Sequence, residues 1–161
     1  MLGVCFLLLS VAVFAQVDQA KFSELHPAGL SVQIAGGVDL AYYTQDHDLC
    51  FGIFGFTLTQ EKKDSTETNV MKPGVFIRKN FPLTTHVTWG IGASYGTIMG
   101  GGHTEATRFK QYFSIEYAAT DRIYILASIR TINYESYTLN SSETTTAEYL
   151  GGSSVQLAYR F

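Results

Sequence analysis

The sequence predicts an all-β protein, an antiparallel up-and-down β-barrel of about eight strands, seven of which are clearly visible. Beyond residue 29, apolar residues recur at every second position in most segments, which is the period of a strand with one apolar and one polar face. Short and long connections alternate between these segments, as in a series of hairpins. The chain also ends on such a segment, with Val155, Leu157, Tyr159 and Phe161 on one face.

The N-terminal residues predict a cleaved secretory signal peptide. Leu2 to Ala15 is an apolar run that is too short to cross a bilayer as a helix, and it ends in Val13-Phe14-Ala15. We therefore expect residues 1–15 to be removed and residues 29–161 to form the barrel domain. Residues 16–28 are an N-terminal segment or a weak first strand, which would give the even strand number that bacterial single-chain barrels have.

The visible strands follow one another along the barrel domain. The alternation from Leu30 to Tyr43 is interrupted only at Gly36 and predicts a single strand. A change of phase near Gly55, in the next segment, indicates a bulge. The remaining predicted strands are Leu49 to Gln60, Met71 to Phe81, Val87 to Thr97, Arg108 to Ala119, Ile123 to Thr131 and the terminal segment.

The connections predict which end of the barrel is which. Three of them are short, at residues 45–48, 82–85 and 120–121. The other three are longer and polar, at Glu61–Asn69, Met99–Ala106 and Leu139–Ala147. Transmembrane barrels have short periplasmic turns and longer extracellular loops, so we expect Phe161 on the periplasmic side.

Composition fits this fold class. Aromatic residues reach 14% and mean hydropathy is +0.08, as expected when strands expose apolar groups on one face and rings gather at two interfaces. The formal net charge of -3 gives no basic surface for nucleic acid. Without residues 1–15, Cys50 has no cysteine to pair with. No cofactor and no metal is expected.

In these features the chain resembles the small eight-stranded outer-membrane β-barrel proteins, the group that includes the OmpA membrane domain and OmpX. The resemblance covers Leu30 to Phe161 and rests on strand phase, loop asymmetry and the ending Leu157-Ala158-Tyr159-Arg160-Phe161. It implies an integral protein of the outer membrane of a Gram-negative bacterium. Its partners would be periplasmic chaperones, outer-membrane lipid and lipopolysaccharide, and the barrel-assembly machinery, which would read Leu157, Tyr159 and Phe161. The inserted protein is expected to be a monomer.

The inward parity predicts a charged lumen filled by side chains. Eight strands leave an interior just wide enough for side chains, and buried charges must be paired. The residues expected there are Asp39, Lys72, Arg78, Arg108, Lys110, Glu116, Arg130, Glu148 and Arg160. We expect this network to stabilise the barrel, which then has a structural or surface-interaction role. A narrow ion-conducting pore is an alternative.

A lipid A-modifying enzyme is a further alternative. Such a deacylase needs a histidine, an acidic group and a serine near the extracellular rim. The weak candidates are His103 and Glu105 in one long loop, with Ser141 and Ser142 in another. No His–Ser pairing on one strand resembles the known motif, so no catalytic residue is assigned.

Two other classes stay open at this point. A soluble lipocalin-like barrel would be secreted and strand-rich too, but it would place its apolar residues inside. A surface adhesin would use Glu61–Asn69 and Leu139–Ala147 as contact loops. His26 and His47 are interpreted as turn or linker residues.

Overall fold

The computed structural model describes residues 17–34, 37–45, 47–56, 59–63, 66–100, 103–139 and 142–161. The predicted signal peptide lies outside these residues. Helix α1 (Gln19–Leu25) precedes the strands. The strands are β1 (Gly29–Ile34), β2 (Val38–Tyr43), β3 (Leu49–Phe54), β4 (Thr59–Lys63), β5 (Thr66–Met71), β6 (Gly74–Pro82), β7 (Val87–Gly96), β8 (Met99–Gly100), β9 (His103–Ala118), β10 (Ile123–Leu139), β11 (Ser142–Tyr149) and β12 (Ser153–Arg160). In the described part of the chain, no helix has the length and apolar character needed to cross a membrane.

The wall is a closed antiparallel barrel of eight strands, which confirms the predicted fold class. Its order is β1, β2, β3, β6, β7, β9, β10 and β12, and β12 pairs again with β1. This last seam runs from Ser31 opposite Arg160 to Ile34 opposite Leu157. Strand β11 continues the line of β12, because both pair with the same edge of the long strand β10.

The eighth strand comes from a hairpin that the alternation concealed. The segment predicted as one strand from Leu30 to Tyr43 is two strands, β1 and β2, which pair with each other up to Ile34 opposite Val38. Partners in this register are both even-numbered or both odd-numbered, so the apolar face passes through the turn without a change of phase. The N-terminal segment therefore does not supply the missing strand.

Helix α1 occupies the described part of that N-terminal segment. The Asp18 carboxylate caps it by accepting hydrogen bonds from the backbone N–H groups of Ala20 and Lys21. Phe22 is its buried residue. With a side chain to bury and a good N-cap, this stretch has what a short docked helix needs.

The segments predicted as long loops contain strands instead. Residues 61–69 lie mostly in the β4–β5 hairpin, and residues 139–147 mostly in the β10–β11 hairpin. These segments are rich in threonine, which favours strands, but they have no apolar face to mark the period. Gly55 does not mark a bulge, since β3 ends at Phe54 and Gly55 turns the chain with a φ of 78°.

The outer face of the wall is apolar and the inner face is polar. Exposed apolar side chains on the wall strands include Leu30, Val38, Leu40, Phe51, Ile53, Val75, Ile77, Ile91, Ile115, Ile125, Ile129 and Leu157. Buried polar side chains include Ser31, Gln33, Arg78, Thr88, Glu116 and Arg160. A soluble barrel has the opposite arrangement, so the lipocalin-like alternative does not fit these strands.

Helix α1 and the two residues after it close one end of the barrel. Tyr124 Oη donates a hydrogen bond to the Leu25 carbonyl (2.6 Å), and Arg160 Nη1 donates one to the Pro27 carbonyl (2.9 Å). We call residues 19–27 the plug. Phe161 and the β2–β3, β6–β7 and β9–β10 turns lie at this plug end, and the β4–β5 and β10–β11 hairpins lie at the opposite, loop end.

Candidate functional site

Glu116 stands at the centre of a buried network in the plug half of the lumen. Its Oε2 accepts hydrogen bonds from Arg78 Nη2 (2.7 Å) and Tyr43 Oη (2.8 Å). Its Oε1 lies 2.7 Å from His47 Nε2 and 3.7 Å from Arg160 Nη2. One carboxylate thus serves two guanidinium groups, and all of these side chains are buried. Strands β6, β9 and β12 are tied together across the lumen in this way.

Arg160 lies between two aromatic rings. Its Cζ is 3.9 Å from the ring centroid of Tyr43 and 3.9 Å from that of Tyr124. Desolvated cation–π contacts of this kind contribute about 2 kcal/mol. Because Arg160 also binds the Pro27 carbonyl, it joins the last strand to the plug.

His47 belongs to this network although the sequence places it in a turn. A positive φ of 53° lets the β2–β3 turn direct the side chain into the lumen, where it is buried. Arg160 Nη1 lies 3.1 Å from His47 Nδ1. A guanidinium can only donate, so Nδ1 accepts and Nε2 carries the proton given to Glu116. Burial lowers the pKa of His47, in keeping with this neutral form.

His26, in the plug, is the second histidine that sequence reasoning missed. Its ring stacks on Phe22 with 4.3 Å between centroids and lies 4.5 Å from the His47 ring. Burial, followed by the nearby His47, lowers the pKa of His26 to about 3. Its Nδ1 has no hydrogen-bond partner among the described residues. The N-cap at Asp18 was the available signal that this segment folds onto the barrel.

The ligand atoms of His26, His47 and Glu116 lie within 4.8 Å of one another, which raises the question of a metal ion. Two observations speak against it. Glu116 is already bound by Arg78 and approached by Arg160, and Arg160 also donates to His47. A divalent cation would face two buried guanidinium groups at short range, so the cluster is better suited to arginine pairing.

A cavity of about 330 Å³ occupies the lumen next to the Glu116 network. Four of the predicted lumen charges line it: Asp39, Arg78, Lys110 and Arg130. The rest of its surface combines amides and hydroxyls with a few rings, among them Gln33, Gln156, Ser128, Tyr112, Phe54 and Phe76. The lining is therefore mixed in polarity, and it carries more basic than acidic groups.

The remaining predicted lumen residues lie apart from the Glu116 network. Arg108 Nε donates to Glu135 Oε1 (3.0 Å) between β9 and β10, while Lys72 is half-buried in the connection before β6. Glu148 is exposed on β11 and accepts a hydrogen bond from Asn133 Nδ2 (3.3 Å).

The weak catalytic candidates lie at the loop end. His103 and Ser142 each pair with Leu139 from opposite sides, about 10 Å apart across two strand spacings. Glu105 follows on β9, while Ser141 lies outside the described residues, as do the side chains of the other three. Catalysis by this set stays a prediction.

The residues of the predicted assembly signal are all exposed on the outside of β12 or just beyond it. Tyr159 and Phe161 meet edge to face, with 5.1 Å between ring centroids. The Phe161 N–H donates to the Leu30 carbonyl (2.9 Å), which attaches the chain end to the seam with β1.

Fold and lumen together define a closed eight-stranded up-and-down β-barrel with an apolar outside and a charged interior. Among solved structures, the chain is similar to the NMR solution structure of E. coli outer membrane protein W. The two share 14% sequence identity over 84% of this chain and 100% of that one, with a TM-score of 0.49. No family model and no curated protein matches the sequence.

Proposed function

We propose that the protein is an integral outer-membrane β-barrel with a structural or surface-interaction role. The apolar outer face of the wall is the observation that carries this proposal. Isoleucine, leucine, valine and aromatic side chains stay about half exposed on all eight wall strands. A soluble monomer rarely exposes a continuous apolar surface of this extent, whereas hydrocarbon would bury it.

Two rows of exposed rings support a membrane position. Tyr95, Phe109 and Tyr134 are cross-strand neighbours near the loop end. Tyr42 and Tyr117 are exposed towards the plug end, and Tyr117 lies eight positions after Phe109 on β9. That separation is about 27 Å along the strand and about 20 Å along the barrel axis at the usual tilt. The rows have the spacing of aromatic girdles at the two faces of a bilayer.

The lumen favours a structural role over ion conduction. The plug covers one end, and behind it the buried ion pairs of Glu116 cross the interior from β6 to β12. Salt-bridged side chains packed in this way stabilise a narrow barrel and leave little space for an ion path.

An arginine placed on the outer face tests the membrane proposal. Ile91, on β7, is 46% exposed and lies four positions before Tyr95 and four after Val87, the partner of Tyr117, so Ile91→Arg would be nearly neutral in water. At the middle of a bilayer the same change costs about 2–4 kcal/mol. We expect this loss in urea unfolding of the protein in lipid vesicles, read from heat-modifiable migration in gels. Thr146→Arg, exposed on β11, is the matched control and should change little.

Two further measurements decide between this proposal and its alternatives. Recovery of the protein in the periplasmic soluble fraction rather than the outer membrane would contradict the proposed location. Lipid A mass spectra from cells with and without the protein test for an enzyme. A mass difference that His103→Ala abolishes would replace the structural role with a catalytic one.

A further inference from the structure

Two of the cations that line the lumen cavity have no counterion in the described structure. Lys110 and Arg130 form no hydrogen bond through their charged groups and no ion pair within 4.0 Å with any described residue. They lie on one inner surface, because Arg130 on β10 is directly opposite Tyr112, two positions from Lys110 on β9. Arg130 and two further cations repel Lys110, and Glu135, which attracts it, is already paired with Arg108. Two like charges are therefore held side by side at the cavity wall.

The one acidic group among the described lining residues cannot neutralise both of them. Asp39 lies on β2, three strands from β10 in the barrel order, and forms no ion pair with either cation. Arg78, the third cation in the lining, is already paired with Glu116. With Arg78 paired, the two cations face the single carboxylate of Asp39, so the lining keeps a net positive charge that a bound anion would compensate.

The interruption between β11 and β12 leaves a space that the side chain of Arg130 occupies. Gly152 has a φ of 78°, and a Cβ atom built on it would lie 2.0 Å from Arg130 Nη2. The guanidinium therefore rests directly on the Gly152 backbone, in space that a side chain would fill. The Gly152 carbonyl also accepts the Arg130 backbone N–H (3.0 Å). This packing holds the guanidinium of Arg130 at the cavity.

We propose that the lumen cavity binds a small organic phosphate monoester, whose phosphate group lies between Lys110 and Arg130. A phosphate monoester carries close to two negative charges at neutral pH, and guanidinium groups bind phosphate in a bidentate manner. The hydroxyls of Ser128 and Ser154 also line the cavity; they are hydrogen-bonded to each other (2.8 Å), so one of them can still donate to a phosphate oxygen. Phe54 and Phe76 offer apolar contact to the organic part, and the volume exceeds that of phosphate alone.

Calorimetric titration of the refolded protein in a neutral detergent tests this site. The probes are phenyl phosphate, inorganic phosphate and, as a neutral control, phenol. We expect saturable binding of phenyl phosphate, weaker binding of inorganic phosphate and no measurable binding of phenol. Arg130→Gln and Lys110→Gln should each weaken phenyl phosphate at least about tenfold, the usual loss with one hydrogen bond to a charged group.

Arg122→Gln is the matched control, because Arg122 is an exposed cation in the β9–β10 turn, outside the cavity. It should leave the affinity unchanged, and heat-modifiable migration reports whether each variant is folded. A dissociation constant for phenyl phosphate weaker than about 1 mM would overturn the proposal. An equal loss of binding in all three folded variants would also overturn it, since that result describes non-specific attraction.

The phosphate monoester could be dissolved or belong to a lipid headgroup, and a second arm separates these sources. The titration is repeated in nanodiscs of phosphatidylcholine with and without phosphatidic acid. If phosphatidic acid abolishes binding of phenyl phosphate, the site takes a headgroup from the bilayer. If the affinity is unchanged, the site takes a soluble phosphate monoester.

Discussion

Glu116 is the residue on which the charge balance of the plug half depends. It is the acidic partner of Arg78 and Arg160 among the described residues and also accepts from Tyr43 and His47. A buried ion pair contributes little when it is exchanged as a whole for apolar groups, but removal of one partner leaves a buried charge without compensation. Loss of the Glu116 charge would leave both Arg78 and Arg160 without this carboxylate, so the destabilisation would arise at two buried guanidinium groups.

Glu116→Gln keeps the shape of the side chain and removes its charge. We expect it to lower the free energy of unfolding by about 3–5 kcal/mol, because two buried guanidinium groups lose their carboxylate. Urea unfolding in detergent, followed by heat-modifiable migration, measures the change. Glu143→Gln on the exposed face of β11 is the control. A loss below about 0.5 kcal/mol, the size of ordinary surface effects, would show that Glu116 is not the centre of the network.

The histidine in the plug predicts that acid loosens this end of the barrel. Burial holds the pKa of His26 at about 3, well below its usual 6.5. The undocked plug binds a proton below pH 6.5 and the docked plug does not, so docking is full above that pH and weakens as the pH falls towards 3. His47 opposes the added charge once it is itself protonated and Arg160 opposes it throughout, whereas Glu116 favours it.

Hydrogen exchange of the amides in helix α1, corrected for intrinsic rates, measures this effect. We expect the opening free energy to be constant from pH 8 to 7 and then to fall by up to about 1.4 kcal/mol per pH unit. His26→Phe keeps a ring against Phe22 and takes up no proton, so its slope should be smaller. An identical slope in the variant would assign the titration to another group.

Among the secondary structure elements, the interruption between β11 and β12 has a strict sequence requirement at one residue. Leu150 and Gly152 both have positive φ angles, of 55° and 78°. At Gly152, a side chain would also collide with Arg130, because the guanidinium group of Arg130 occupies the space that a Cβ atom would need. At the adjacent Gly151, an added Cβ atom would have the flexible end of Glu148 as its nearest neighbour, at 3.3 Å.

Gly152→Ala should therefore destabilise the protein by about 1–3 kcal/mol through the left-handed backbone, with the displaced Arg130 adding to the loss. Gly151→Ala should stay within about 0.5 kcal/mol of the parent. Thermal unfolding in detergent compares the two. If the two variants were equally stable, Arg130 and the backbone at residue 152 would accommodate a methyl group without loss of stability.

At the scale of the whole molecule, two barriers in series close the lumen. The plug covers one end, and the Arg78–Glu116–Arg160 layer crosses the interior behind it. Removal of the plug would leave the ion-paired layer in place.

Recordings in planar bilayers should reflect this order. We expect no stable conductance from the protein or from a variant that lacks residues 17–27. Conductance should arise only when Arg78→Ser and Arg160→Ser are added to that deletion, because both large side chains then leave the layer. Ion channels in the deletion variant alone would show that the ion-paired layer does not block the lumen.

Alternation alone predicted most of the wall, because the apolar outer side and the polar lumen side of a strand differ at every step. It placed Ile77 and Leu157 outside and Arg78 and Glu116 inside without knowledge of the pairing. It could not detect the β1–β2 turn, where the phase continues from Ile34 to Val38. An even or odd position in the sequence shows on which face of the sheet a residue lies, but it does not show where the chain reverses its direction.

The central histidines could not be found in the same way. His47 enters the lumen through the backbone of a turn, and His26 enters through the docking of a seven-residue helix. Neither histidine lies on a strand, so the alternation of apolar and polar residues does not show which way its side chain points. The burial of His47 depends on contacts with β9 and β12, and His26 binds the Thr85 carbonyl in the β6–β7 turn, all far away in the sequence. Long-range contacts of this kind follow from the closed barrel and not from local pattern.

The strands of the wall are very unequal in length, and a bilayer would respond to this. β1, β2 and β3 have six residues each, about 20 Å of strand and about 15 Å of height when tilted. β9 and β10, with 16 and 17 residues, rise about 40 Å. The apolar band of such barrels is about 25 Å tall. Beside β1–β3 the lipid would meet a hydrophobic mismatch of about 10 Å, so the acyl chains there would have to shorten and the membrane would thin on one flank only.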